Sequence, residues 1–217
     1  MNKYIIDAEN MDEKELNRAI KEQSAYYDKL IIKNPQSRHN ICAGLIGDVE
    51  IEIDGSAGYF IGTMINGPKI HVAHNAGWFV GDNMTKGEVI IEGTTGDGAG
   101  QGIYDGTVVV KGDAGSRTGE IMKGGTVIIG GNSGFMAGLL MMGGKLIILG
   151  DVADDAGESI MRGNIYVLGK VKSLGKNAVM KKTTLEDQKE LKEILTKYDF
   201  ELTDIDYTNF KKITNYQ

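Results

Sequence analysis

Three histidines, one cysteine and a scatter of serines and aspartates are the residues of this 217-residue chain that could do chemistry. His71 lies between Ile70 and Val72, so strand alternation turns it outward, and His74 follows three residues later. Positions i and i+3 of a strand face opposite sides, which makes the pair a poor metal site. His39 stands apart, after Arg38 and just before Cys42 in the segment HNICAG. A cysteine nucleophile needs a base beside it, and His39 is close in sequence; packing in a core is the simpler role for this thiol. Neither Ser116 nor Ser133 sits in a G-x-S-x-G elbow. Asp82, Asp97, Asp113 and Asp151 mostly follow glycine, which is ordinary turn chemistry, and nothing singles out a pair of carboxylates for acid–base work. The stretch Gly96-Asp97-Gly98-Ala99-Gly100-Gln101-Gly102 contains G-x-G-x-G but no amphipathic helix follows it, so it lacks the context of a dinucleotide fingerprint. No catalytic, cofactor-binding or metal-ligating constellation emerges.

The composition narrows the classes. Thirty Asp+Glu against 24 Lys+Arg give a net charge of -6, which argues against a general binder of nucleic acid or anionic membranes. One cysteine excludes an internal disulfide and a thiolate cluster. The start, MNKYIID, lacks the apolar region of a secretory leader, and no run approaches the roughly 18–20 apolar residues of a membrane span. A soluble cytoplasmic protein is expected. Glycine is the anomaly, at 31 residues, about twice its usual share of roughly 7%. All of it falls between Gly44 and Gly175. The chain therefore divides into an N-terminal arm (1–43), a glycine-rich middle (44–176) and a charged C-terminal segment (177–217).

The elements that must position any site follow from a repeat in that middle. Gly58, Gly77, Gly96, Gly115 and Gly134 recur at every nineteenth position, and Ala153 takes the next place. A second column holds Gly62, Gly81, Gly100, Gly119, Gly138 and Gly157, and an apolar column runs Ile65, Met84, Ile103, Met122, Met141, Ile160. Gly87 to Gly163 form a fourth, with Pro68 in its first place. His39 and Ala43 extend the first two columns backwards, imperfectly. Paired apolar columns such as Ile70/Val72, Val89/Ile91, Val108/Val110 and Leu146/Ile148 read as short strands alternating with polar residues and bounded by glycine. Strands this short need stacking to be stable. Copies stacked at roughly 4.8 Å pair every backbone group with the turn above and below. The expectation is all-β: a right-handed parallel β-helix (solenoid) of about seven nineteen-residue turns, with glycine at the corners because each turn bends about three times. A period of nineteen excludes the left-handed hexapeptide solenoids, whose turns advance in sixes.

Bare solenoid ends expose strand edges, so helical caps are expected at both. Residues 12–28 suit a helix with Asp12 as N-cap and Glu15 three residues on, and Leu16, Ala19, Ile20 and Tyr27 inward. Residues 184–197 suit another, with Thr183 and Glu186 at capping-box spacing and Leu191, Ile194 and Leu195 inward; this helix either caps the other end or docks on a partner. The last twenty residues show no clear period and read as an arm for another chain or a frayed end.

One surface feature exceeds the repeat. After the first glycine column come Tyr59-Phe60, Trp78-Phe79, Asp97-Gly98, Ser116-Arg117, Phe135-Met136 and Asp154-Asp155. One member of each couple must face out, so an aromatic ladder is expected on the surface. The fifth turn adds Leu139 and Leu140. Exposed apolar patches on a soluble protein point to a partner; the alternative is aromatic stacking along the solenoid that the terminal arms cover.

The columns, in segments such as GDAGSRTGEIMKGGTVIIGG (112–131) and GDVADDAGESIMRGNIYVLG (150–169), resemble the GXGXG β-helix domain over roughly residues 35–180. That domain closes the large subunit of glutamate synthase and occurs as a separate chain in glutamate-synthase-like systems, including N-methylglutamate synthase. The C subunit of formylmethanofuran dehydrogenase carries a related solenoid. Residues 34–40 (NPQSRHN), 55–59 (GSAGY) and 75–78 (NAGW) look closest to the stand-alone glutamate-synthase-like chains. The resemblance implies a non-catalytic structural subunit that spaces a glutamine amidotransferase subunit from an FMN-dependent, iron–sulfur synthase subunit and supports ammonia transfer. It places FMN and the clusters on the partners, none on this chain, and leaves self-association open. The alternatives are a chain like the C subunit of formylmethanofuran dehydrogenase and a self-contained β-helix hydrolase or lyase.

Overall fold

The computed structural model describes residues 2–200 and 205–216. Strands β3 (Glu50–Asp54), β4 (Asn66–Val72), β5 (Lys86–Ile91), β6 (Thr107–Val110), β7 (Thr126–Ile129), β8 (Met142–Ile148) and β9 (Arg162–Val167) pair in parallel, each with the next. The register Ile51↔Ile70↔Val89↔Val108↔Val127↔Leu146↔Ile165 advances by the nineteen-residue period of the repeat. These side chains, with Ile53, Val72 and their successors two positions on, stack inward and are almost wholly buried. The protein is thus the parallel β-solenoid that the glycine spacing implies.

The two glycine columns do different work. Gly119 lies at φ +68°, in the left-handed region that a Cβ disfavours, and a Cβ there would also crowd Met122 Sδ at 2.8 Å. Gly96 lacks a positive φ; it is needed because the indole of Trp78 lies where its Cβ would be. Corners therefore account for one column and close approach between turns for the other.

The first turn is longer than the rest. Leu30 of β2 (Lys29–Lys33) pairs with Ile51, twenty-one positions on rather than nineteen, and Gly58 N–H donates to Arg38 O. The first members of the glycine columns are therefore Arg38 and Cys42 (φ +64°), not His39 and Ala43. Ahead of β2, β1 (Lys3–Asp7) adds a further parallel strand that the alternation did not reveal. Helix α1 (Glu13–Gln23) connects them, starting at the expected Asp12 cap with its reciprocal Glu15 bond. Leu16 and Ile20 bury in the solenoid core and Ala19 and Tyr27 pack at its margin.

The C-terminal end differs from expectation. Helix α2 (Leu185–Lys197) takes Thr184 and Asp187 as its capping box, one residue beyond the expected pair. It lies on the outer face of the sheet rather than across the open end. Leu191, Leu195 and Tyr198 pack with Val109, Ile128, Ile147, Tyr166 and Phe210 in a second buried cluster. The residues between the paired columns of β6 to β9 are therefore apolar, not polar, because both faces of those strands are covered. The end is closed by strands. β11 (Lys211–Asn215) runs antiparallel to β9 and to β10 (Ala178–Lys182), giving an 11-stranded sheet among the described residues. The tail expected to serve another chain or fray, where described, returns through a 3-10 turn (Tyr207–Asn209) onto its own chain; its residues 201–204 and 217 lie outside the described residues.

Candidate functional site: a stacked aromatic surface

Between strands the backbone also bonds from turn to turn. Phe60 N–H donates to Trp78 O, Phe79 N–H to Asp97 O and Gly98 N–H to Ser116 O. This holds equivalent side chains one rung apart, about 4.8 Å, close to the spacing of stacked rings. Tyr59 and Trp78 stack with centroids 5.2 Å apart, and Phe60 and Phe79 at 5.0 Å. Trp78 and Phe79 meet edge to face. Tyr59 and Trp78 are 40% and 46% exposed, so the outward member of each couple is the first; Phe60 and Phe79 are half-buried behind them.

His39 begins the stack, which sequence reasoning missed. Its ring lies 4.6 Å from Tyr59, and its Nδ1 accepts from Tyr59 N–H at 2.9 Å. Its signal was one residue away: the extra length of the first turn moves His39 into register with Tyr59. The stack ends at Gly96 and Gly98, where Trp78 and Phe79 fold over bare backbone. Beyond it Asp97 and Arg117 stand 3.9 Å apart, and Arg117 lies over the exposed Phe135. Phe135 and Met136 share the columns of the aromatic couples but sit three rungs from Trp78. Leu139 and Leu140 belong further round the turn; Leu140 shares a column with the exposed Met64. The structure thus unites Tyr59, Phe60, Trp78 and Phe79 and keeps the fifth-turn residues apart.

The residues with chemical potential are engaged elsewhere. Cys42 is buried and its N–H donates to Asn17 Oδ1; burial pushes its thiol up to about 12. Ser133 is buried and its hydroxyl bonds Thr118 Oγ1. Asp97, Asp113 and Asp151 each accept from a backbone N–H of the next turn, those of Ser116, Asn132 and Lys170. They are rungs of a ladder that fastens the corners. Asp82 is buried and accepts from Thr63 and Asn83. His71 Nε2 faces Glu92 Oε1 at 2.7 Å on the outer sheet surface, while His74 is exposed. Among the described residues no three His, Cys, Asp or Glu side chains converge to hold a metal, and no helix is long and apolar enough to cross a membrane.

Comparison with known proteins agrees with this construction. A family model, the GXGXG motif, matches residues 9–215. The chain belongs to the GXGXG motif family. Among solved structures, this GXGXG chain is similar to a chain in the formyltransferase/hydrolase complex (FhcABCD) from Methylorubrum extorquens in complex with methylofuran. The identity is 27% and the TM-score 0.71, covering 79% of the GXGXG chain and 67% of that chain. No curated protein sequence matches it.

Proposed function

We propose that this chain is a structural subunit of a multi-subunit enzyme, a rigid spacer whose exposed stack docks a catalytic partner. The observation that carries the reading is the likeness, over 79% of the chain, to a component of a formyltransferase/hydrolase assembly. It favours the formyl-transfer setting, akin to the C subunit of formylmethanofuran dehydrogenase. The engagement of Cys42, Ser133 and the aspartates in packing and ladder bonds supports a non-catalytic role. A solenoid suits it, since neighbouring turns fix one another and hold two docked bodies at constant separation.

The glutamate-synthase-type reading is the second. It draws on residues 34–40, 55–59 and 75–78 and assigns FMN and iron–sulfur clusters to partner subunits. Both readings are tested by isolating the tagged chain from its native source and identifying co-purifying chains by mass. The first expects formyltransferase and hydrolase chains. The second expects a flavin-containing synthase and a glutamine amidotransferase. Recovery of the chain alone, with saturable hydrolysis of esters, polysaccharides or glutamine, would defeat both in favour of a self-contained enzyme.

A further inference from the structure

A groove of about 550 Å³ runs between α1 and the first corner of the solenoid. Its floor is apolar: Ile20 and Leu45 are buried there, and Ile46 is 75% exposed. One wall carries Lys14, Arg18 and Lys21. Among the described residues no carboxylate lines it, and none of the three cations has an ion-pair partner. In a chain of net charge -6, such a groove stands out against the overall acidic field.

The spacing of these cations defines what fits. Residues 14, 18 and 21 are steps of four and three on a helix, about 6 and 4.5 Å along its axis. They form one stripe on the exposed side of the helix, and Asn17 and Ser24 lie between it and the buried Ile20 along the groove. An extended peptide advances about 6.6 Å every two residues and turns alternate side chains to opposite sides. Acidic side chains at alternate positions would meet the stripe, and the intervening apolar ones would lie on Ala25, Ala43 and Ile46. A bare anion would satisfy the wall and leave the floor wet.

We propose that this groove docks an extended segment of a partner chain in which acidic and apolar residues alternate. The proposal rests on reading the chain as a subunit, but it is tested on the isolated 217-residue chain, so a failure to recover an assembly and a failure here are separate results. The probe is a short fluorescein-labelled peptide alternating leucine and glutamate, followed by anisotropy. Binding is expected, weakening as salt rises. The Lys14→Glu/Arg18→Glu/Lys21→Glu variant should lose about tenfold or more, as three partly exposed ion pairs become repulsions. Ile46→Ser, which leaves the charges intact, should also weaken binding, and so should replacing the peptide's leucines by serine. Unchanged thermal melting of the variants shows that the fold is retained. Absence of binding to the unaltered chain, equal binding by the charge-reversed variant, or full displacement of the peptide by an equimolar concentration of inorganic phosphate would each overturn the proposal.

Discussion

Tyr59 and Trp78 lie ring on ring, their planes 9° from parallel, although they stand nineteen positions apart in sequence. The contact arises because the backbone brings every nineteenth residue into register. Truncation of Trp78 to alanine should therefore leave the solenoid folded. The loss of stacking and of cover over Gly96 should cost about 1–2 kcal/mol, measured by urea unfolding. If the stack is the docking surface, the same variant should lose co-purifying chains while its circular dichroism stays unchanged.

Gly119→Val should be far more costly. The left-handed backbone and a Cβ that would stand 2.8 Å from Met122 Sδ and 3.3 Å from Leu146 Cδ2 both oppose a branched side chain. About 2–4 kcal/mol is expected. Gly44 makes the control, since it has φ +65° but open space where a Cβ would stand. Gly44→Ala should lose only about 1 kcal/mol, the backbone part alone. Equal losses at the two sites would show that crowding contributes nothing.

The repeat made Gly119 legible, because a solenoid writes its geometry as a period. The inward Val/Ile columns and the corner glycines repeat often enough to stand out from one sequence. What was not legible was whatever broke the period. The extra length of the first turn hid the partnership of His39 with Tyr59. β1 and β11 have no glycine frame, so their pairing had no signature. The middle residues of β6 to β9, Val109, Ile128, Ile147 and Tyr166, did carry a sign in plain view: a strand apolar on both faces needs cover on both, and α2 provides it.

Asp187 governs that cover. It is buried, and burial alone would raise its pKa; bonds from Lys212 at 2.8 Å, Tyr166 at 2.6 Å and Thr184 outweigh this and hold the carboxyl well below its usual range. A lowered folded pKa adds stability that is present above the unfolded value, about 3.9, and is lost as pH falls through the folded one. Melting temperature should therefore drop below about pH 4. Asp187→Asn should flatten that acid limb and cost about 3 kcal/mol at neutral pH, because Lys212 is left without its carboxylate. An acid limb identical in the two proteins would remove Asp187 from the account.

Thr95 offers a gain. Its hydroxyl is buried with no hydrogen-bond partner among the described residues, in a column whose neighbours are Ala76 and Ala114. Valine has nearly the same shape without the unpaired group. Thr95→Val should stabilise the protein by about 1 kcal/mol, read from the urea midpoint at constant slope. A loss instead would mean that the hydroxyl has found a water.

The reversed direction of β11 against β9 has a consequence for size. Every rung before it offers the next a parallel template, and nothing in that pattern counts how many should be added. A strand that arrives backwards interrupts that series, and β10 follows it antiparallel, so the outermost edge belongs to this pair and not to another nineteen-residue rung. The stack is therefore a gauge of set length, encoded in the number of repeats between α1 and this antiparallel pair.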